Sequence, residues 1–389
     1  MPSTKLQNST DFDGQIFYVG LDVHKHSWAV TVRSLGIQVA NFSQPPSAKA
    51  LHTTLTRMFP GGVYYSAYEA GFCGTGTHEQ LRKLGITNII VHAADIPLTD
   101  KQKKNKTDIH DSRSIAEQLE RKNLHGIHIL THEQQELRSL FRLRENKIKD
   151  ITRANNRLKS FMAYYGIEIP ESISKKEYIS KRVLEWLDNL ELSSDSGTIT
   201  KQELIEELKY QRKQGSKITK LLRQQIQISH TDAYKRLLTV PGLGPVTSMG
   251  LLAEIADFSR FEDPVDYIGY LGLTPWNDST GDTVKTKGVQ PRCNKHLRPL
   301  LIEASWVAIR NAPHLFAYYS KHAVKNNKHA IIKVAHRLAL IARGVVLKKQ
   351  DYQADYLQNK QQEKVIKKGL KRTKNQGIQN GKVLLASTE

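Results

Sequence analysis

The sequence predicts an α/β domain followed by a mostly helical remainder, and three observations carry that expectation. Short apolar runs of strand length fill the first 125 residues, alternating late in that region with helical patterns. From about residue 131 to 229 the chain turns helical and highly charged. Beyond 230, glycine-marked turns separate apolar helices.

In order, residues 16–23 (IFYVGLDV) read as a strand, followed by strands at 27–33 and 37–42 with Leu35-Gly36 at the turn between them. Ser47 caps a helix to about Met58. Residues 63–68 form a strand, 75–84 a helix, 86–91 a strand and 108–119 a helix. Three adjacent strands followed by alternating helices and strands match the ribonuclease-H-like order.

In the charged region, Leu137, Ile151 and Leu158 share one heptad position and Phe141, Ile148 and Met162 another, with Arg144 and Asn155 interrupting the seam. A second long helix spans about 201–226, with Gly215 as a weak point, and a shorter one lies near 175–190. This suggests an antiparallel coiled-coil arm, serving dimerisation or a grip on nucleic acid, or else simply a helical linker. The expected divisions are therefore 1–125, 126–229, 230–350 and a basic polar tail at 351–389, where Lys367, Lys368, Lys371, Arg372 and Lys374 cluster.

Charge narrows the function. The 389 residues hold 58 Lys and Arg against 38 Asp and Glu, a formal net charge of +20. Such an excess spread along the chain favours a polyanionic partner, because neutralised phosphates release condensed counterions. Cys73 and Cys293 form no C-x-x-C pair, which argues against a zinc module or disulfide framework and for a reducing cytoplasm. The polar residues 1–13 lack a signal-peptide core, and no run reaches transmembrane length, so no membrane partner is expected.

Two constellations bear chemistry. Asp22 and Glu69 end the first and fourth strands, and Asp108 and Asp111 lie three apart at a helix start. Brought together, these carboxylates repel unless cations join them, and their hard oxygens suit Mg²⁺ or Mn²⁺. Lys101, Lys103, Lys104 and Lys106 precede them, as a phosphate backbone approaching carboxylates requires. Taken singly, Asp108 is equally a helix cap and Asp22 an ordinary strand-end residue. In the second half, Val240-Pro-Gly-Leu-Gly-Pro245 reads as a helix-hairpin-helix turn able to approach phosphate, or simply a turn that packs two helices. Ser279 and Thr280 precede Gly281 in a loop followed by cations, an arrangement suited to attack on a phosphodiester, although Ser-Thr-Gly is also a common turn.

These residues resemble the DEDD insertion-sequence transposases, the bridge-RNA-guided recombinases, over about residues 16–350. The resemblance rests on YVGLDVHK (18–25), YEAGFCG (68–74), KNKTDIHDSRSIA (104–116), VPGLGPVTSMGLLAEI (240–255), RFEDPVDYIGYLGLTP (260–275) and NKHLRPLLIEASW (294–306). It implies a Holliday-junction-resolvase-like N-terminal domain with Asp22, Glu69, Asp108 and Asp111 as a metal tetrad. It also implies a C-terminal serine that links covalently to DNA, composite sites across the protomers of a dimer or tetramer, and a guide RNA encoded by the element. The family serine directly precedes the glycine, a position held here by Thr280, with Ser279 one residue earlier, so either hydroxyl is a candidate and Ser279 is preferred. The resemblance does not account for the tail after Tyr352.

The expected function is DNA strand cleavage and exchange in the prokaryotic cytoplasm, in association with the nucleoid. The alternatives are a site-specific DNA invertase, a structure-selective nuclease that uses the carboxylates alone, and a binding protein with a dead site.

Overall fold

The structure is a computed structural model that describes residues 12–96, 108–173, 179–280, 283–289 and 293–354, with the side chains of 108–110, 275–280 and 283–289 outside that description. The lysines at 101–106 and the basic cluster at 367–374 lie outside the described residues. The chain forms two compact units, residues 1–129 and 130–389.

The first unit is built on a five-stranded mixed sheet in the order β3-β2-β1-β4-β5. Strands β1 (Ile16–Val23), β2 (Trp28–Ser34) and β3 (Ile37–Gln44) form an antiparallel meander. Its second turn is Leu35-Gly36, both with positive φ, as a two-residue hairpin turn requires. Helix α1 (Ala48–Met58), capped by the Ser47 hydroxyl, crosses to β4 (Val63–Glu69), which runs parallel to β1. Helix α2 (Gly76–Lys83) leads to β5 (Thr87–Val91), parallel to β4. Helix α3 (Asp108–Glu120) follows.

The alternation of a strand decides what each face holds. Phe17, Val19 and Leu21 of β1 share a core with Leu51 and Leu55 of α1 and Leu81 of α2. Gly20 has the opposite parity and meets α3. Ala67 of β4 and Val91 of β5 join Ile115 of α3 in a smaller core. This strand order, with helices on both faces, is compatible with a ribonuclease-H-like domain.

The second unit begins with α4 (His132–Tyr164), whose start is closed by a capping box between Thr131 and Gln134. After α5 (Lys181–Asp188) comes α6 (Asp195–Ser229). Helices α4 and α6 pack antiparallel: Leu158 and Met162 share a core with Ile205 and Leu208, Ile151 meets Gly215, and Phe141 joins Leu222 and Ile226. Gly215 does not interrupt α6. A Cβ there would lie 2.7 Å from Ile151 Cδ1, so the glycine lets the two helices approach.

The pair has two cores. Its distal half packs with Val183 and Leu187 of α5. Its proximal half shares a core with the helices that follow, because Phe141, Leu222 and Ile226 lie with Met249, Leu252, Leu301 and Leu338. Those helices are α7 (Thr231–Leu238), α8 (Pro245–Ile255), α9 (Pro264–Tyr270), α10 (Leu297–Asn311), α11 (Pro313–Ala323) and α12 (Asn327–Lys348). Between α9 and α10 a two-stranded antiparallel hairpin is formed by β6 (Pro275–Thr280) and β7 (Thr283–Val289). After α12, Tyr352 packs back on the unit, its amide donating to Thr239 Oγ1 and its hydroxyl 2.9 Å from His314 Nε2. Among the described residues, no helix is long and apolar enough to cross a membrane.

Candidate active site

Asp22 and Glu69 lie at the C-terminal ends of two adjacent parallel strands. The register pairs Leu21 with Tyr68, so the next residues on each strand are Asp22 and Glu69. Asp22 has the parity of Gly20 and Glu69 that of Ala67, which directs both carboxylates to the face covered by α3. The Asp22 carboxylate lies 3.0 Å from His24 Nε2, while Glu69 is exposed.

Helix α3 reaches this end because of one glycine. A Cβ on Gly20 would overlap the Ser112 carbonyl oxygen and the Ala116 amide nitrogen, so α3 lies backbone to backbone on β1. A buried hydrogen bond of 2.9 Å between Thr31 Oγ1 and Ser112 Oγ fixes the first turn of the helix. Its last turn is fixed by Glu120, which accepts from Arg33 Nε at 2.7 Å and from the Gly36 amide at 2.7 Å. Helix α3 therefore runs antiparallel to β1, and its N-terminal turn, which carries Asp108 and Asp111, sits at the sheet end that holds Asp22 and Glu69. The positive end of the helix dipole there lowers the cost of gathering carboxylates.

The Asp108 side chain lies outside the described residues. Among the described residues, no three His, Cys, Asp or Glu side chains already form a group able to hold a metal ion. What the backbone does is deliver four oxygen-donor residues to one sheet end.

Ser279 and Thr280 are the last two residues of β6 rather than loop residues, facing Val284 and Thr283 in the register. Their side chains, and Gly281-Asp282, lie outside the described residues. The base of their hairpin is held by a buried polar network that sequence reasoning missed. Glu254, on α8, has a fully buried side chain. Its carboxylate accepts from Arg142 Nε at 2.7 Å, Arg142 Nη2 at 3.0 Å and Asn294 Nδ2 at 2.8 Å. Its carbonyl oxygen accepts from Arg138 Nη2 at 2.6 Å and the Tyr270 hydroxyl at 3.0 Å.

Asn294 ties this network to both roots of the hairpin. Its amide donates to the Tyr270 carbonyl at 2.8 Å, and its Oδ1 accepts from the His296 and Leu297 amides at the start of α10. The segments entering and leaving the hairpin also touch, since Gly272, at φ +67°, leaves no room for a Cβ beside Cys293. Burial pushes the Glu254 carboxyl upward, but the hydrogen bonds and charge of Arg142, with Asn294 and Arg138, outweigh it and hold the group below its usual range. The sequence does carry one sign of this: Glu254 is the single charge in the run 245–256, which is apolar from Met249 onward apart from it, and such a charge is buried only with partners.

The Val240–Pro245 turn resolves toward packing at one of its glycines. Gly242, at φ +86°, lies against the α10 backbone, where a Cβ would meet Ala304 and Ala308. Gly244 caps α8 with nothing within 4 Å of where a Cβ would stand.

Comparison with known proteins accords with this geometry. A transposase model of the DEDD, IS110 type matches residues 19–167, and a model described as the IS116/IS110/IS902 transposase family matches residues 234–320; together they span more than half of the chain. The protein y4qE of Sinorhizobium fredii, a transposase by name, is 28% identical over 293 residues, 74% of this chain and 71% of its own length. The transposase for insertion sequence element IS1328 of Yersinia enterocolitica is 27% identical over 205 residues, 53% of this chain and 59% of its own. The transposase for insertion sequence element IS1111A of Coxiella burnetii is 24% identical over 220 residues, 54% of this chain and 56% of its own. The DEDD domain implies a divalent metal cation, which the hard oxygen donors delivered to one sheet end fit in kind. The chain belongs to the IS116/IS110/IS902 family of DEDD transposases.

Proposed function

We propose that the protein cleaves and rejoins the DNA strands of its insertion sequence through a DEDD site formed by Asp22, Glu69, Asp108 and Asp111 and a hydroxyl nucleophile at Ser279 or Thr280. The four carboxylates would hold Mg²⁺ (or Mn²⁺), which when bound supplies Lewis-acid stabilisation of phosphate charge. His24 orients the Asp22 carboxylate. The hydroxyl oxygen forms a bond to phosphorus as the phosphodiester P–O bond breaks, the hydroxyl proton is lost, and the leaving strand's oxygen takes one up. The resulting phosphoester keeps the energy of the broken bond for rejoining. Arg138, Arg142, Glu254 and Asn294 hold the hairpin that carries the nucleophile. In this reading the N-terminal unit is ribonuclease-H-like, the α4–α6 pair is a coiled-coil arm, an element-encoded RNA guides target choice, and the active species is a homo-oligomer in the prokaryotic cytoplasm.

The observation that carries the proposal is the Gly20 contact, which seats α3 close on β1 and so brings its acidic first turn to the strand ends that bear Asp22 and Glu69. A covalent-trapping experiment tests it. Protein, Mg²⁺, candidate element-encoded RNA and element-end DNA are denatured after reaction, and peptides are analysed by mass spectrometry. A nucleotide on Ser279 or Thr280 is the expected result and identifies the acting hydroxyl. Cleaved DNA without an adduct instead favours a hydrolytic nuclease that uses the carboxylates alone.

A further inference from the structure

Between Glu303 and Asp351 the sequence contains nine Lys or Arg and four His but no acidic residue, whereas the chain as a whole has about one Asp or Glu in ten positions. This stretch folds into the end of α10, all of α11 and all of α12. Elsewhere in the unit the cations of the long helices meet carboxylates: Arg142 with Glu254, Arg157 with Glu207, Lys209 with Asp188. Among the described residues, Lys321, Lys325, Lys333 and Arg337 meet none.

Their positions are ordered. Helices α11 and α12 pack together across a short turn, and Asn326 fixes the start of α12 by accepting from the His329 amide at 3.1 Å. The Lys333 ammonium lies 3.3 Å from His322 Nδ1. The His322 ring stands edge-on to Tyr318 at 4.8 Å, and the Arg337 guanidinium lies 4.6 Å over the same Tyr318 ring. Lys321 and Lys325 flank His322, and burial together with the charges of Lys333, Lys321 and Lys325 pushes its imidazole below the ordinary range. Crowding like charges around a partly covered aromatic stripe raises the energy of the free fold. A polyanion laid across it would relieve that repulsion.

We infer that the α11–α12 hairpin is a docking surface for duplex DNA, on which Lys321, Lys325, Lys333 and Arg337 contact backbone phosphates. DNA is the occupant because the family acts on DNA. The cluster lies beyond residues 234–320, the part matched by the second family model. Phosphate contacts of this kind set position and affinity without reading sequence, so any duplex serves as a probe.

The test compares the full-length protein with the triple variant Lys321→Gln/Lys325→Gln/Lys333→Gln. Fluorescence anisotropy measures binding to a short labelled DNA duplex of arbitrary sequence at salt concentrations between about 50 and 200 mM. Each phosphate contact contributes about 0.9 to the slope of log affinity against log salt, so the slope should fall by roughly 2.7 in the triple variant. A triple Lys→Arg variant at the same positions should restore it, and thermal melting should show all three proteins equally folded, since these side chains are exposed. A slope that changes by less than about one contact overturns the inference. So does a loss seen only on an RNA duplex of the same sequence. The readout is equilibrium binding without cleavage, so it stands whether or not a covalent adduct forms.

Discussion

The two units hold their candidate site residues by different physics. In the first, α3 is seated on β1 by backbone against backbone at Gly20, with a neutral hydroxyl pair, Thr31 and Ser112, locking the turn that bears the acids. In the second, the base of the β6–β7 hairpin is gripped by a buried carboxylate, two guanidinium groups and an asparagine. The contact at Gly20 has no charge to titrate, and the one ion pair that holds α3, Arg33 with Glu120, lies at the other end of the helix from its acidic turn. A buried ionic clamp is directional and holds two chain segments and a helix start at once, but it depends on its carboxylate and guanidinium groups remaining charged.

The sharpest way to separate seat from chemistry is Asp108→Ala. Strand cleavage should be abolished while DNA binding, carried by cations, remains largely intact, as gel assays of cleavage and anisotropy would show. Retained cleavage would remove the carboxylates from the mechanism. Next in size is Glu254→Ala, which leaves Arg138 and Arg142 without their carboxylate; the second unit should lose about 3–5 kcal/mol in denaturant unfolding. The same clamp predicts a pH dependence. Because the folded carboxyl titrates below its unfolded value, its stabilisation is full above the unfolded value and is lost as pH falls through the folded one. Melting of the parent protein should therefore drop at acid pH more steeply than that of Glu254→Gln, and parallel profiles would show that the clamp carries no net charge effect.

The smallest expected effect is that of Gly20→Ala. The added methyl must push α3 away from β1, costing about 1–3 kcal/mol as overpacking does. That loss should be independent of pH, and cleavage should fall with it because the acidic turn moves. A variant as stable and active as the parent would show that the close approach is not what positions α3.

Much of this was legible in the chain. The strand and helix order of the first unit follows from short apolar runs and caps, with ends shifting by one or two residues; Ser47 caps α1 as its position predicts. The positions of Asp22 and Glu69 at strand ends and of Asp108 and Asp111 at a helix start were legible because these are local features. The antiparallel pairing of α4 with α6 was readable from their apolar stripes, but the sharing of one core by Phe141 and the helices after residue 230 was not. A heptad position says that a residue is buried, not against which segment. Ser279 and Thr280 read as a loop because Ser-Thr-Gly favours turns, whereas pairing with β7 extends the strand to Thr280.

The sequence by itself determined the alternation that separates the faces of β1, the excess of cations, the acid-free stretch in α11 and α12, and the motifs that mark the family, because each is set by composition or by spacing over a few residues. Only the tertiary structure decided that Gly20 admits α3, that Gly242 lies against the backbone of α10, and that Glu254 reaches Arg142 across 112 positions and Asn294 across 40. Those contacts depend on which distant segments meet, and the energy of a close backbone approach or a buried ion pair exists only once both sides have arrived.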